Sequence, residues 1–229
     1  EEPATNPDGV YVVTKATELA WVAKQTQTAV FGGSLIITND IDLSGKQWTP
    51  LGYNGSTTTG ATGFYFNGSI DGQGHTISGL DIQTGADDVS AGFIGGTNNK
   101  EASIKNLNIA GTMTINNTSK GADFGSLIGF ANAMSSVENC HSSVTILCNG
   151  ASVGSYLGGL VGRMKATDII GCSYTGSISI IATSKVGKGL GGILGSPNSS
   201  TSGATGSLCN SVFAGSINVE GTIGSSGTA

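Results

Sequence analysis

A five-residue motif that returns four times limits this chain to a stacked architecture before any local propensity is consulted. It reads GFIGG at 92–96, SLIGF at 126–130, GLVGR at 159–163 and GILGS at 192–196. The closing glycines Gly95, Gly129, Gly162 and Gly195 lie 34, 33 and 33 residues apart. A fixed period of this size marks a solenoid, in which each repeat is one coil that buries its apolar face only against its neighbours. The motif is not a phosphate-binding loop, because no P-loop lysine follows it and one nucleotide site does not recur four times.

A second signature runs with the first, aligned on Leu80, Leu107, Cys140, Cys172 and Ser211. Six residues beyond the anchor stand Met113, Ile146, Ile178 and Ile217, and eight beyond stand Ile115, Cys148, Ile180 and Val219. Apolar residues two apart predict strands with one buried face, and the interleaved Thr112, Thr114, Ser177, Ser179, Ser216 and Asn218 predict the wet face. Helical repeats of similar length need apolar residues three and four apart, with Ala and Leu enriched. Gly, Ser, Thr, Ile and Val prevail here instead. The 38 glycines in 229 residues fit sharp coil corners that require positive φ, where Gly and Asn accumulate. The expected fold is all-β, a right-handed parallel β-helix of about five to seven coils, since parallel crossovers are overwhelmingly right-handed. One detail resists a simple strand. Each glycine motif holds two neighbouring apolar residues, such as Leu127 and Ile128, or Leu160 and Val161, so either a corner tucks both away or one row faces outward.

Residues 1–33 read as an N-terminal strand and capping helix, and 34–229 as the β-helix, together one structural domain. The stretch from Thr14 to about Ala29 has helical composition, with Thr17 as N-cap and Leu19, Val22 and Ala23 as its apolar stripe. Such a helix would plug an open solenoid end. The first strands follow, with Leu35, Ile37, Ile41 and Leu43 inward and Ile36, Thr38, Asp40 and Asp42 outward.

The succession TELAWVAK, ITNDIDLSGKQWTPLG, FNGSIDGQGHTISGLDI and GFIGG, followed by IKNLNIAGTMTI, GSLIG, VENCHSSVTI and GGLVG, resembles bacterial surface proteins carrying GLUG motifs. The resemblance spans about residues 15 to 220, with Ser126 where the motif usually has glycine. It implies an extracellular right-handed β-helix within a larger adhesin, S-layer-associated protein or protease-like autotransporter. It implies no agreed set of catalytic residues.

Chemistry-bearing residues are sparse. Cys140 and Cys172 occupy equivalent places in adjacent coils and Cys148 falls in an inward row, which favours buried thiols over a disulfide because parallel side-chain directions suit its torsion poorly. Beyond residue 100 the acidic residues Glu101, Asp123, Glu138, Asp168 and Glu220 do not recur in register, as a depolymerising enzyme's carboxylate set would need. Asp40, Asp42 and Asp71, with His75 and Asp81 nearby, are candidate oxygen ligands for a structural calcium ion, though turn capping explains them more simply. His141 is expected at a coil edge, and no other cofactor is implied. Arg163 and Lys165 just after a glycine motif suit an acidic sugar. The inserts at 116–123, 149–156 and 181–188 fall at one point of successive repeats and predict an edge of aligned loops carrying Lys120, Tyr156, Lys185 and Lys188. An ice-binding face would need a TxT ladder, which occurs once, at Thr112 and Thr114.

A formal net charge of −5 excludes a basic nucleic-acid surface, and no segment reaches the 18 or so apolar residues of a membrane span. The chain opens on EEPATNPDG without a signal peptide, as a processed protein would. The expected function is a non-enzymatic secreted or cell-surface module, adhesin-like, that binds a host or envelope protein or a glycan. The alternatives are a carbohydrate-active β-helix enzyme and a passive stalk.

Overall fold

The computed structural model describes residues 1–52, 64–116, 122–150, 156–182, 189–197 and 206–221. Lys120, Lys185 and Lys188, and most of the three inserts, lie outside the described residues. The chain is a right-handed parallel β-helix with a single helical cap, as the repeat predicts. Among the described residues its strands form sheets of ten, nine and four strands, all parallel except for the pair Ala4–Thr5 and Tyr11–Val13.

Register makes the stacking explicit. One ladder runs Tyr11, Leu35, Ile70, Ile104, Val137, Ile169 and Leu208 from end to end. A second runs Met113, Ile146, Ile178 and Ile217, and a third Ile115, Cys148, Ile180 and Val219, as the alternation predicts; one coil earlier Ile82 joins the second, because Leu80 pairs with Gly111 and not with Leu107. The regular coils open at Ser90, Asp123, Tyr156 and Gly189, which lie directly over one another. Most of these inward residues are fully buried in one continuous core, and at the last described coil Val212, Phe213 and Ile217 are exposed. Burying a branched aliphatic side chain contributes on the order of 2 kcal/mol, so the ladders are the main favourable term.

From the second coil on, the described coils turn on a left-handed residue placed between two sheets. Gln73, Asn106, Asn139 and Asn210 have φ of 50°, 53°, 49° and 50°, and Gly171 with φ of 64° takes the same place. Asn tolerates this region because its short side chain bonds locally. Asn106 Nδ2 donates to Asp71 Oδ1 at 3.1 Å and Asn139 Nδ2 to Asn106 Oδ1 at 3.4 Å, so the corners are tied to one another. Just past the corner, the backbone N–H of Cys140 is accepted by Cys172 Sγ at 3.4 Å, and that of Cys172 by Ser211 Oγ at 3.1 Å. All four cysteines are thiols, and burial pushes Cys148 up to about 12, where it behaves as a small hydrophobe.

The glycine motif is an arch. The strand Asp123–Gly125 leads into a bend at Ser126 and Leu127, and the strand Ile128–Glu138 leaves it. Leu127 and Ile128 are both fully buried, as are Leu160 and Val161, so the corner tucks both apolar residues away and no row faces outward. The strand before the bend lies on the closing glycine of its own or the neighbouring coil. A Cβ on Gly162 would sit 2.5 Å from the Phe124 nitrogen and 2.6 Å from the Gly129 oxygen, and one on Gly129 2.7 Å from the Ala91 nitrogen. No side chain fits there because the obstacle is backbone.

The helix spans Ala16–Gln25 and buries Leu19, Val22 and Ala23 against the first coils, so the predicted cap and stripe hold. Its N-cap is Lys15 and not Thr17. The reason is Glu18, whose carboxylate accepts from the Thr14 backbone N–H at 2.7 Å and its hydroxyl at 2.9 Å, anchoring the helix start two residues earlier.

The arch geometry predicts a contrast between two glycines. Gly162→Ala should lower unfolding stability by about 3 kcal/mol, because backbone cannot move aside. Gly74→Ala, with φ of 84° and nothing within 4 Å, should lose only about 1–2 kcal/mol of left-handed strain. Guanidinium unfolding midpoints compare them, and equal losses would refute the arch account.

Candidate functional site

The three inserts leave and rejoin the coil at stacked positions. They depart after Ile115, Cys148 and Ile180, which are in register, and return at Asp123, Tyr156 and Gly189, also in register. Their anchors therefore line one edge of the rod, as the spacing predicts.

At the foot of that edge four side chains meet from two sheets. Asp123 and Tyr156 stack in the short-strand sheet, and Phe130 and Arg163 stack in the sheet beside it. Arg163 Nη2 donates to Asp123 Oδ2 at 2.7 Å, reaching diagonally from one coil to the coil before. Its guanidinium lies 4.2 Å over the Phe130 ring and 5.3 Å from that of Tyr156, and Lys165 Nζ lies 5.7 Å from Phe130. A cation over an aromatic face is attracted by the ring quadrupole, so the two rings hold the guanidinium in place. The adjoining coils carry Gly96 and Ser196 beside Phe130 and Arg163, and Ser90 and Gly189 beside Asp123 and Tyr156. Among the described residues the cluster thus occurs once.

Its electrostatics are unequal. Asp123 is 1% exposed and the Arg163 side chain 23%. Burial pushes the Asp123 carboxyl up to about 7, with the Arg163 charge pulling it back down. Asp123 Oδ1 and Arg163 Nε are buried without a hydrogen-bond partner. The pair is joined end-on by a single bond, and one buried polar atom on each side is left without a partner.

Of the sequence candidates, the structure brings together Tyr156, Arg163 and Lys165. Asp123 and Phe130 join them, and the residue pattern alone does not single them out for binding. A signal existed: the last letter of the glycine motif varies as Gly96, Phe130, Arg163 and Ser196 along one ladder, and variation within a strict repeat marks a local contact.

The aspartates proposed as metal ligands are each held by neighbours. Asp40 Oδ1 accepts from the Thr76 backbone N–H at 2.9 Å and faces His75 Nδ1 at 3.2 Å. Asp42 caps the Ser44 N–H at 2.9 Å. Asp71 accepts from the Gln73 N–H at 3.0 Å and pairs with Lys105 Nζ at 3.3 Å. These bonds hold all three carboxyls below the usual carboxylate range, Asp71 against the opposing push of its own partial burial. Among the described residues no three His, Cys, Asp or Glu side chains gather as a metal would require. His141 lies at a coil edge, with Nδ1 2.8 Å from Ser173 Oγ. Among the described residues, cavities of about 240 and 220 Å³ lie between the capping helix and Trp48, and one of about 200 Å³ runs from Trp48 and Pro50 to Gln83 and Ser90. The first is lined by Ala20, Lys24, Gln27 and Thr49 and the second by Thr17, Asp42, Ser44 and Lys46, mixed sets that share no one chemistry.

The Asp123 environment sets a pH dependence. Its folded-state carboxyl holds a proton more tightly than the usual value of 3.8, so the protonated form favours folding. That contribution is complete below about 3.8 and is lost as pH rises through about 7. Wild-type stability should therefore fall by about 2–3 kcal/mol between about pH 5 and about pH 8 relative to Asp123→Asn. Denaturant titrations of both proteins check it, and parallel curves would contradict the assignment.

No family model matches the chain, and no curated protein matches it. A solved chain from Bacteroides ovatus, provisionally named an immunoglobulin A1 protease, is similar over 96% of this chain and 80% of its own length. The TM-score is 0.53 and the identity 18%, a likeness that shows the fold alone.

Proposed function

We propose that this chain is a non-enzymatic module of a secreted or cell-surface protein, adhesin-like, in which a rigid β-helix displays one edge to a host or envelope protein or a glycan. The resemblance to GLUG-motif surface proteins belongs to this reading. The observation that carries it is the stacking of the insert anchors, Ile115, Cys148 and Ile180 on departure and Asp123, Tyr156 and Gly189 on return. Successive inserts held side by side on a rigid scaffold are how repeat proteins build an extended contact surface. The cation–aromatic cluster at their foot adds the residue types, Arg and Tyr, that dominate binding energy where they are enclosed. The turn-capping bonds of Asp40, Asp42 and Asp71 give those carboxylates a structural task in place of acid–base work.

A glycan and host-matrix array, run beside a polysaccharide depolymerisation assay, tests the proposal. The expected outcome is binding without turnover, weakened roughly tenfold or more by Tyr156→Ala. Turnover lost on changing Asp40, Asp42 or Asp71 would replace it with an enzyme. Silence across the whole array would leave a passive stalk.

A further inference from the structure

The Asp123–Arg163 pair is built asymmetrically. A carboxylate and a guanidinium that serve only each other usually join through two parallel bonds. Here a single bond links Arg163 Nη2 to Asp123 Oδ2 at 2.7 Å, and Arg163 Nε and Asp123 Oδ1 bond to nothing. The carboxylate lies sealed beneath, while the arginine and Lys165 both reach toward solvent over the Phe130 ring. Among the described residues Lys165 makes no ion pair, which leaves two cations at the surface and one carboxylate under them. We propose that Arg163 and Lys165 bind the carboxylate or sulfate group of an anionic glycan, and that Asp123 competes with that group for Arg163, so that proton uptake by Asp123 strengthens binding.

This inference rests on the reading of the loop edge as a binding surface and names its ligand class. The planar fork of Arg matches the paired oxygens of a carboxylate or sulfate, and Lys adds a point charge alongside. The charged surroundings of Asp123 are simple. In register with it stand Ser90 and Tyr156, and the strands packed against it present Phe130, Arg163 and, beyond the ring, Lys165. The neighbouring strand Leu194–Pro197 offers no charge. Among the described residues Arg163 is thus the charge that acts on Asp123, and burial places the proton uptake at about 7. Once Asp123 is neutral, the guanidinium charge is no longer cancelled at contact distance and a ligand anion meets two cations. Linkage is reciprocal, so the bound anion also raises the affinity of Asp123 for its proton. The net charge of −5 opposes polyanions at long range, and acidification toward the sequence pI of about 4.8 relieves that opposition everywhere on the surface. A variant at Asp123 separates the local effect from the general one.

The probes are heparin as a sulfated polymer, polygalacturonate as a carboxylated one and dextran as a neutral control, each titrated from about pH 8 to about pH 5.5 at fixed salt. Wild-type affinity for at least one polyanion should rise roughly tenfold through a midpoint near 7, and which polymer responds identifies the acidic group. Asp123→Asn should lose the step near 7 and stay on the tight-binding side of it, and Arg163→Gln should lose the step and bind weakly, each keeping only the shallow change that the net charge gives. A wild-type midpoint near 4, in the ordinary carboxylate range, overturns the proposal without any variant. An unchanged pH profile in Asp123→Asn or equal binding of dextran also overturns it. If neither polyanion binds while the array finds a neutral glycan or a protein at this edge, the inference fails and the binding-module reading stands. If the array finds nothing, that reading itself has failed.

Discussion

The close seating of one backbone on another at the closing glycines is the contact on which the rest of this fold depends. The strand Asp123–Gly125 runs over Gly162, where a methyl group would fall 2.5 Å from the Phe124 nitrogen, and similar contacts recur at Gly129 and Gly195. This approach closes the arch, and the closed arch lets Leu127 and Ile128, or Leu160 and Val161, turn inward together. A bulkier residue would open the arch and expose one member of each pair, a loss on the order of 2 kcal/mol per coil before strain is added. The period of the sequence is therefore the period of a steric constraint. Hydrophobic stacking supplies the stabilisation, and the glycine row decides which shape receives it.

The same logic of complementary bulk runs across the core. A Cβ on Gly159 would meet the Tyr174 ring at 2.6 Å, so the first glycine of that motif makes room for an aromatic residue from its own coil. In the preceding coil Ser126 takes the glycine position and Ser142 the aromatic one, in register with Tyr174. The two serine hydroxyls bond at 2.7 Å in the interior, and Ser126 also donates to the Gly159 carbonyl at 2.5 Å. A larger residue on one side is met by a smaller one on the other, and the polar pair satisfies itself. The departure of Ser126 from the usual glycine is a paired substitution that a single motif viewed alone cannot explain.

Much of this architecture was legible in the residues because coil stacking copies one strand's alternation to the next. The rows Met113, Ile146, Ile178 and Ile217, and Ile115, Cys148, Ile180 and Val219, stand in the register that the spacing predicts. The capping helix was legible too, since Leu19, Val22 and Ala23 share one helical face. What resisted reading depends on contacts between segments distant in sequence or on chemistry that competes locally. Thr17 looks like an N-cap by type, yet Glu18 reaches back to Thr14 and sets the helix start at Lys15. Asp123 looks like an isolated acid, because its partner Arg163 lies one coil away, 40 residues along the chain.

Site and scaffold cannot be separated at that carboxylate. Asp123 is desolvated because its strand lies on the glycine row, with its own carbonyl oxygen 2.8 Å from where a Gly129 side chain would begin. Burial is the larger influence on its acidity, and the Arg163 charge only partly offsets it. Had a side chain at Gly129 lifted the strand, water would reach the carboxylate, its proton would leave in the ordinary range, and Arg163 would face a fully ionised partner at every physiological pH. The conformational demand of the repeat thus reaches the chemistry of a single residue: the glycines that let coils stack also hold Asp123 where its charge is in question.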